Sequence, residues 1–485
     1  MAGIDRSVFK SYDIRGTYPD QLDDQFAYLL GRALPGILPA ERVAVGHDAR
    51  LSSPSLYAAF ATGLAHAGVQ VAGMGLCPTE LVYYVAGSEG GPDLGVMITA
   101  SHNPPEYNGF KVVTAGGGPV PAAGGLEEAA TSMEVMSVSM PAACAPPAQA
   151  FSVEDAYVDF ALDLVGRADV GGLRIVVDAG SGVAGLLWDR LSDRLGMEPV
   201  RLYFEPDGSF PGHLPDPSRL ENLRALIEAV AQEKADAGFC YDGDADRVVA
   251  VLRDGHVVDG SETTACIAER FLSRYLSRAR AGEVTFGVGQ TISRKVLDYF
   301  RGRGVEPVML PVGHAKIKRL MRDQPRMVFA GEDVGHYYYR DFFCCDSSLI
   351  TTLHLLHALS EGKLEQLVRS LPGPWHRPAG EPRFGFPDQR AASATCRRVA
   401  EEALRAYPEP VEITCERDGR VNRRCGRGQI VDADGVRVDY ADWWFCVRPS
   451  GTEPVARLVL EAREPDLLAE RTELLSGLFR RPASC

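Results

Sequence analysis

The sequence predicts three similar α/β domains followed by a smaller C-terminal α+β domain. Three observations point there. The chain has 485 residues, more than one hydrophobic core can serve, since domains usually run to about 100–200 residues. Three segments repeat one local pattern: a β-branched apolar run, a glycine-containing turn, an amphipathic stretch, then a second apolar run. The last hundred or so residues break that pattern and read as helix, short strands, a longer strand and a closing helix.

Taken in order, the first segment is RVAVGHDARLSSPSLYAAFATGLAHAGVQVAGMG, from Arg42. The second is RIVVDAGSGVAGLLWDRLSDRLGMEPVRLYFEPD, from Arg174, and the third is EVTFGVGQTISRKVLDYFRGRGVEPVMLP, from Glu283. A strand, turn, helix and returning strand make one crossover unit, which implies parallel strands under a helical layer. Openings roughly 100–130 residues apart suggest three domains rather than one large sheet. Two composition shifts read as linkers: the Ala/Pro-rich MPAACAPPAQA from Met140, and the Pro/Gly-rich LPGPWHRPAGEPRFGFPDQR from Leu371. The expected domains are therefore 1–150, 151–256, 257–370 and 371–485. The last carries VEITCERDGRVNRR, GVRVDYADWWFCVRPS and RLVLEA as its strands, an α+β pattern.

Composition is that of an ordinary globular protein, 45% hydrophobic and 24% charged. No stretch approaches the ~20 unbroken apolar residues of a membrane helix, and the N-terminus lacks the apolar core of a secretion signal. A cytoplasmic protein with no membrane partner is expected. Eleven cysteines, without a CxxC pair, read as buried or incidental thiols. A net charge of -14 with no basic stripe excludes a general nucleic-acid binder. Handling an anionic ligand then requires local clusters of Arg, Lys and His.

Four loops carry such chemistry. In GVMITASHNPPEYNGFK, Gly95 to Lys111, a strand ends in a Pro- and Asn-fixed turn holding Ser101 and His102. A serine hydroxyl becomes a useful nucleophile only when its proton is withdrawn or its phosphorylated form is stabilised. Adjacent side chains usually diverge, so no Ser101–His102 dyad is expected. The hydrolase GxSxG elbow is absent. The plain alternative is a self-capping Ser/Asn turn.

In GFCYDGDADRVVAVL, Asp242, Asp244 and Asp246 alternate between two apolar runs. Like charges at 4 Å repel by roughly 4 kcal/mol at an effective dielectric of 20. A cation relieves this, and oxygen-only ligands select a hard one, Mg²⁺. Arg247 and Arg253 stand where an EF-hand needs Gly and Glu, which excludes that motif. A solvated acidic turn is the plain alternative, yet such turns rarely separate two buried strands. In VRPSGTEPVARLVLEA, Arg448, Ser450, Gly451 and Thr452 have the makings of a phosphate cradle, with backbone amides as an anion nest; an ordinary Pro/Gly turn explains the same residues. In FAGEDVGHYYYRD, Glu332 and His336 set a carboxylate beside an imidazole, suited to sugar hydroxyls and proton transfer. Alone, that pair is a weak signal.

Gly180, Gly182 and Gly185 also spell GxGxxG after a strand, with Glu205 about 20 residues on, as a dinucleotide site asks. Asp178 argues against it, because its charge would face the pyrophosphate.

Together the motifs resemble the α-D-phosphohexomutase superfamily over essentially the whole chain. KSYDIRG and VGHDARLSSPSL resemble its entry segment and first-domain strand and helix. TASHNPPEYNGFK is similar to its phosphoserine loop, DGDADR to its metal loop, GEDVGH to its sugar loop and RPSGTEP to its phosphate loop. PDGSFPGHLPDPSRLENL resembles the second-domain connection, and VGHAKIK and GHYYYRDFFCCDSS are most similar to bacterial phosphomannomutases and phosphomannomutase/phosphoglucomutases. The resemblance implies three similar α/β domains with mixed sheets and a smaller C-terminal α+β domain, around a central cleft to which each contributes one loop.

It also implies hexose 6-phosphate and hexose 1-phosphate interconversion, mannose and/or glucose, through a phosphoserine and a 1,6-bisphosphate intermediate. Ser101 would carry the phosphoryl group, with one Mg²⁺ held by Ser101, Asp242, Asp244 and Asp246. Arg15, Lys111 and His336 would assist proton transfer. Tyr12, His102, Arg247, His314 and Glu332 would face the substrate, and Arg448, Ser450, Gly451 and Thr452 would hold the distal phosphate. The partner would be a small phosphosugar; monomer and dimer stay open.

Three departures bear on the sugar. Val334 stands where relatives usually carry serine, Gly289 and Gln290 replace a basic residue, and Gly451 in RPSGTEP is commoner in glucosamine-type mutases. A phosphoglucosamine mutase is thus the alternative. A dehalogenase-like phosphatase with Asp242 as nucleophile is more distant: Asp246 sits where that motif wants Thr or Val, and TASHNPP goes unexplained. A sugar-phosphate-binding regulator would have no need of Ser101 beside a metal loop.

Overall fold

A computed structural model describes residues 4–10, 13–120, 125–147, 152–378, 380–417, 420–424, 435–450 and 454–481. Tyr12, Gly451 and Thr452 lie outside the described residues.

The first sheet is built from β1 (Asp13–Thr17), β2 (Arg42–His47), β3 (Gln70–Leu76), β4 (Leu94–Ile98), β5 (Tyr107–Thr114) and β6 (Gly118–Pro119). Its order is β1-β5-β4-β2-β3, with β6 on β5. The β2 pairings with β3 and β4 are parallel, those of β5 antiparallel. The second sheet comprises β7 (Ile175–Asp178), β8 (Val200–Leu202), β9 (Ala237–Tyr241), β10 (Val248–Leu252) and β11 (Val257–Val258), ordered β11-β10-β9-β7-β8. The third comprises β12 (Thr285–Gly289), β13 (Val308–Leu310), β14 (Met327–Gly331), β15 (Tyr337–Tyr339) and β16 (Cys345–Asp346), ordered β13-β12-β14-β15-β16. Each also mixes parallel and antiparallel pairs. Continuous apolar runs such as LGVMI, AGFCY and MVFAG are buried along their whole length, as central strands covered on both faces must be.

The last sheet is wholly antiparallel. Its strands are β17 (Arg383–Gly385), β18 (Glu412–Arg417), β19 (Arg420–Arg424), β20 (Gly435–Asp439), β21 (Trp443–Pro449) and β22 (Val455–Ala462), ordered β17-β22-β21-β20-β18-β19. The Pro/Gly-rich stretch read as a linker is thus more than a connection. Arg383–Gly385 pairs with β22 and His376 bridges Ala462, covering a strand edge that would otherwise expose unpaired backbone groups.

One apolar core runs from Leu81 and Met97 through Trp188 and Tyr241 to Phe286, Phe329 and Leu353, so the first three units pack as a block. The last unit has its own core around Val438, Phe445, Leu458 and Leu475. Its junction with the third unit is polar. Glu461 accepts from Ser293 Oγ (2.9 Å), the Arg294 amide (3.0 Å), Trp444 Nε1 (2.6 Å) and Arg377 Nε (2.6 Å). The carboxylate thereby satisfies a free amide at the start of helix Arg294–Gly302.

Candidate active site

The turn after β4 is held from beneath by a buried arginine. Arg50 donates to the carbonyls of Ser101 (2.8 Å), Asn103 (2.6 Å), Pro104 (2.6 Å) and Tyr107 (3.0 Å), and its charge is met by Asp48 at 3.1 Å. Arg15 steadies the same turn from β1, donating to Asn103 Oδ1 at 3.0 Å. Arg50 was not among the residues read from the sequence, although a lone Arg two residues after Asp48, where β2 has just ended, is a signal that could have found it.

Ser101 sits at φ 51°, a left-handed conformation uncommon outside glycine. Its Oγ donates to Asp242 Oδ2 at 2.9 Å, and Arg247 donates to that Oγ at 3.2 Å. The expectation that Ser101 and His102 diverge is corrected here: Oγ and His102 Nδ1 lie 3.2 Å apart, in a turn whose backbone is left-handed at Ser101 and so is not the extended chain in which successive side chains point to opposite faces. Burial, reinforced by Arg247 and Arg15, holds the His102 pKa well below the usual imidazole value, so the ring is neutral.

The turn between β9 and β10 brings the three aspartates to this hydroxyl. The amides of Asp246 and Arg247 both donate to Asp242 Oδ1 at 3.1 Å, and Arg247 Nε donates to Oδ2 at 2.9 Å. Both Asp242 oxygens are therefore engaged. Lys111, from β5, reaches Asp244 Oδ2 at 2.6 Å and Asp246 Oδ2 at 2.5 Å. Asp244 Oδ1 and Asp246 Oδ1 are buried without a hydrogen-bond partner among the described residues. Ligand atoms of the three carboxylates lie within 4.8 Å of one another. Buried, unpartnered carboxylate oxygens are what a hard cation uses, so these residues fit a divalent ion.

The electrostatics follow from burial and neighbours. Burial pushes the Asp242 carboxyl up to about 7 against the pull of Arg247. Burial would raise Asp246 too, but Lys111 and His336 outweigh it and hold that carboxyl below its ordinary value. For Lys111, burial favours the neutral amine, yet Asp244, Asp246 and Asp242 prevail and raise its pKa, so the ammonium keeps its charge.

His336 closes the other side. Its Nδ1 lies 2.8 Å from Asp346 Oδ2 and 3.8 Å from Asp246 Oδ1, and these carboxylates overcome burial to raise the imidazole pKa. Asp346 is itself paired with Lys318 at 2.7 Å, whose Nζ sits 3.7 Å from the Tyr83 ring centre. Lys318 and Asp346 lie in VGHAKIK and GHYYYRDFFCCDSS, segments quoted above for their resemblance, but neither was given a role there, because each makes sense only through a partner on another segment. His314 lies near His336, ring centres 6.4 Å apart, and burial lowers its pKa. Glu332 accepts from Tyr338 Oη at 2.6 Å and from the Gly313 amide at 3.3 Å; burial raises its carboxyl. A Cβ on Gly289 would lie 3.4 Å from Glu332 Cγ, so this position packs against the stem of that side chain.

Arg448 is nearly buried, and its Nε has no hydrogen-bond partner among the described residues. With Thr291, Asp333, Val334, Arg377 and Arg457 it lines a cavity of about 180 Å³ between the third and fourth units. The Ser450 carbonyl accepts from Gln389, and its amide donates to Val455 O at 2.7 Å. The structure thus joins Ser101, His102, Lys111, Asp242, Asp244, Asp246, Arg247 and His336 in one bonded cluster, with Glu332 and His314 on the adjoining loops.

The glycine fingerprint of the second unit has a packing role instead. The Gly180 amide donates to Asp178 at 2.9 Å, and a Cβ on Gly182 would fall 2.7 Å from Gly243 O. The glycines let this turn lie against the aspartate loop.

Known proteins share this layout. Four family models match in sequence: phosphoglucomutase/phosphomannomutase alpha/beta/alpha domains I, II and III over residues 6–133, 155–255 and 259–374, and the C-terminal domain over residues 398–475. The chain is 34% identical over 478 residues to a phosphomannomutase/phosphoglucomutase of Pseudomonas aeruginosa, covering 98% of this chain and 95% of that protein. It is 33% identical over 491 residues to a phosphomannomutase of Escherichia coli, covering 98% and 99%. The crystal structure of a phosphoglucomutase/phosphomannomutase family protein from Burkholderia thailandensis superposes with a TM-score of 0.79 at 31% identity, covering 99% of each chain.

Proposed function

Since this chain belongs to the phosphoglucomutase/phosphomannomutase family and is a hexose phosphate mutase, we propose that Ser101 carries the phosphoryl group it transfers. The observation that carries this reading is the Ser101 hydroxyl, bonded to Asp242 and Arg247 at the edge of a buried carboxylate cluster. The enzyme would phosphorylate a hexose monophosphate to the 1,6-bisphosphate, let it turn over, and take back the other phosphate.

Phosphoryl transfer needs mainly positioning and charge stabilisation from the protein. Lys111 and Arg247 face three carboxylates, and a phosphoryl group on Ser101 would add nearly two further negative charges. A Mg²⁺ held by Asp242, Asp244 and Asp246 together with the phosphoserine would neutralise that charge and polarise the transferring group. Lys111 stays charged and supports the same balance. The proton of the attacking sugar hydroxyl would pass to the imidazole of His336, whose Nδ1 is held by Asp346, with Arg15 orienting the substrate from β1 and His102 and His314 lining its path. A tight complex of the transferred phosphoryl with Arg247 is compatible with the 3.2 Å contact that this side chain already makes to Oγ.

Arg448 would grip the phosphate that does not react, with Ser450, Gly451 and Thr452. Arg448→Ala should raise KM for the phosphosugar by about 10- to 100-fold, the worth of a charge-assisted pair, while kcat stays within about threefold, since the contact serves ground and transition states alike. Steady-state kinetics on glucose 1-phosphate check this; a kcat effect with unchanged KM overturns it.

Glu332 would accept sugar hydroxyls, but Val334 beside it neither donates nor accepts. A site lacking a partner for the 2-hydroxyl cannot discriminate its orientation strongly, so mannose and glucose phosphates should be used within about tenfold in kcat/KM. Glucosamine phosphate should be the poorer substrate. Competing the three sugars in one assay decides it, and a preference above about a hundredfold for one of them defeats dual use.

A further inference from the structure

Among the residues around the cluster, Thr79 has no assigned part, yet it opens helix Thr79–Gly87 in the first unit and meets the aspartate loop 165 residues away. Its amide donates to Asp244 O at 3.0 Å and its hydroxyl to Asp244 Oδ2 at 2.6 Å; the side chain is fully buried. The geometry points to Thr79 as a positioning residue that selects which oxygen of Asp244 faces the cation.

The argument starts from the carboxylate, whose two oxygens are equivalent until neighbours distinguish them. Thr79 Oγ1 and Lys111 Nζ both donate to Oδ2, each at 2.6 Å. Oδ1 is left buried and without a hydrogen-bond partner among the described residues. Burying such an oxygen unpaired is costly, so the arrangement makes sense only if Oδ1 has a ligand to meet. Asp246 shows a similar split, with Oδ2 on Lys111 and Oδ1 without a hydrogen-bond partner among the described residues, though near the charges of His336 and Arg247. Lys111 alone cannot fix the choice, because one ammonium shared between two carboxylates can be met by either oxygen of each. A directional hydroxyl on a helix terminus, anchored also through its backbone, can. Outer partners of this kind orient ligating carboxylates and set metal affinity.

This inference rests on the metal reading above, and direct binding separates the two. Mn²⁺ serves as the probe: the metal-stripped protein is titrated without substrate, free Mn²⁺ is followed by electron paramagnetic resonance, and samples are matched for Ser101 phosphorylation by intact mass. Thr79→Val should weaken Mn²⁺ binding by about tenfold or more, and Thr79→Ser, which restores the hydroxyl, should return it to within about twofold of the natural protein. Thr79→Ala, judged by the same criterion, replaces the valine variant if that one does not fold. A hydroxyl-free variant that binds within about twofold of the natural protein overturns the proposal, as does a serine variant as weak as the valine one. Natural protein that binds no Mn²⁺ overturns the metal assignment itself, and this role with it.

Discussion

Ser101→Ala is expected to lower turnover by about 10⁴-fold or more, as loss of a nucleophile does, with the fold intact. The fold survives because the anchors of the turn do not use the Ser101 hydroxyl: they are backbone atoms and the Asn103 side chain, which Arg15 holds. Arg50 holds the carbonyls of residues 101, 103, 104 and 107, and the residue 101 amide donates to Thr99 Oγ1 at 2.8 Å. Alanine keeps all of these and loses only the atom that would bear phosphate. Circular dichroism and thermal unfolding should therefore resemble those of the natural protein while a coupled assay reads background. Mapping by mass spectrometry should place phosphate on Ser101 and nowhere else. Treatment with hydroxylamine adds an independent arm, because an aspartyl phosphate on Asp242 would be cleaved and a phosphoserine would not. Natural-level turnover in the alanine variant would end the proposal.

Removing the cation should be nearly as damaging. Chelation is expected to bring activity to background and added Mg²⁺ to restore it. Asp244→Asn should cost about 10²-fold or more in kcat/KM, since even the outer partners of a metal ligand are worth about 10- to 100-fold and this change removes the charge of a ligand itself. The substitution is nearly isosteric, and the amide oxygen still accepts from Thr79, so folding should be retained. What changes is charge: Lys111 is left with Asp246 as its close carboxylate partner, and the loop presents one negative ligand fewer. Assaying both forms across Mg²⁺ concentrations tests this, and full turnover by metal-free protein would exclude a metal role.

The parts that the chain reveals unaided are those written within a few residues. Alternating and continuous apolar runs mark the strands, and the recurring strand-turn-helix marks three similar units, because periodicity is a local property of the backbone. The four loops are legible for the same reason: TASHNPP, DGDADR, GEDVGH and RPSGTEP each gather their functional groups in one short stretch. What only the tertiary structure decided is which of those groups meet. Lys111 finds Asp244 and Asp246 across 133 and 135 residues, and Thr79 finds Asp244 across 165. Lys318 and Asp346 are ordinary residues until packing pairs them under His336. Contacts at such separations leave no local signature, since they depend on how whole domains stack. The convergence of Ser101 and His102 was hidden for a different reason. It depends on the backbone conformation of one turn, left-handed at Ser101 (φ 51°), which is not the residue's own preference and is held by contacts from other segments.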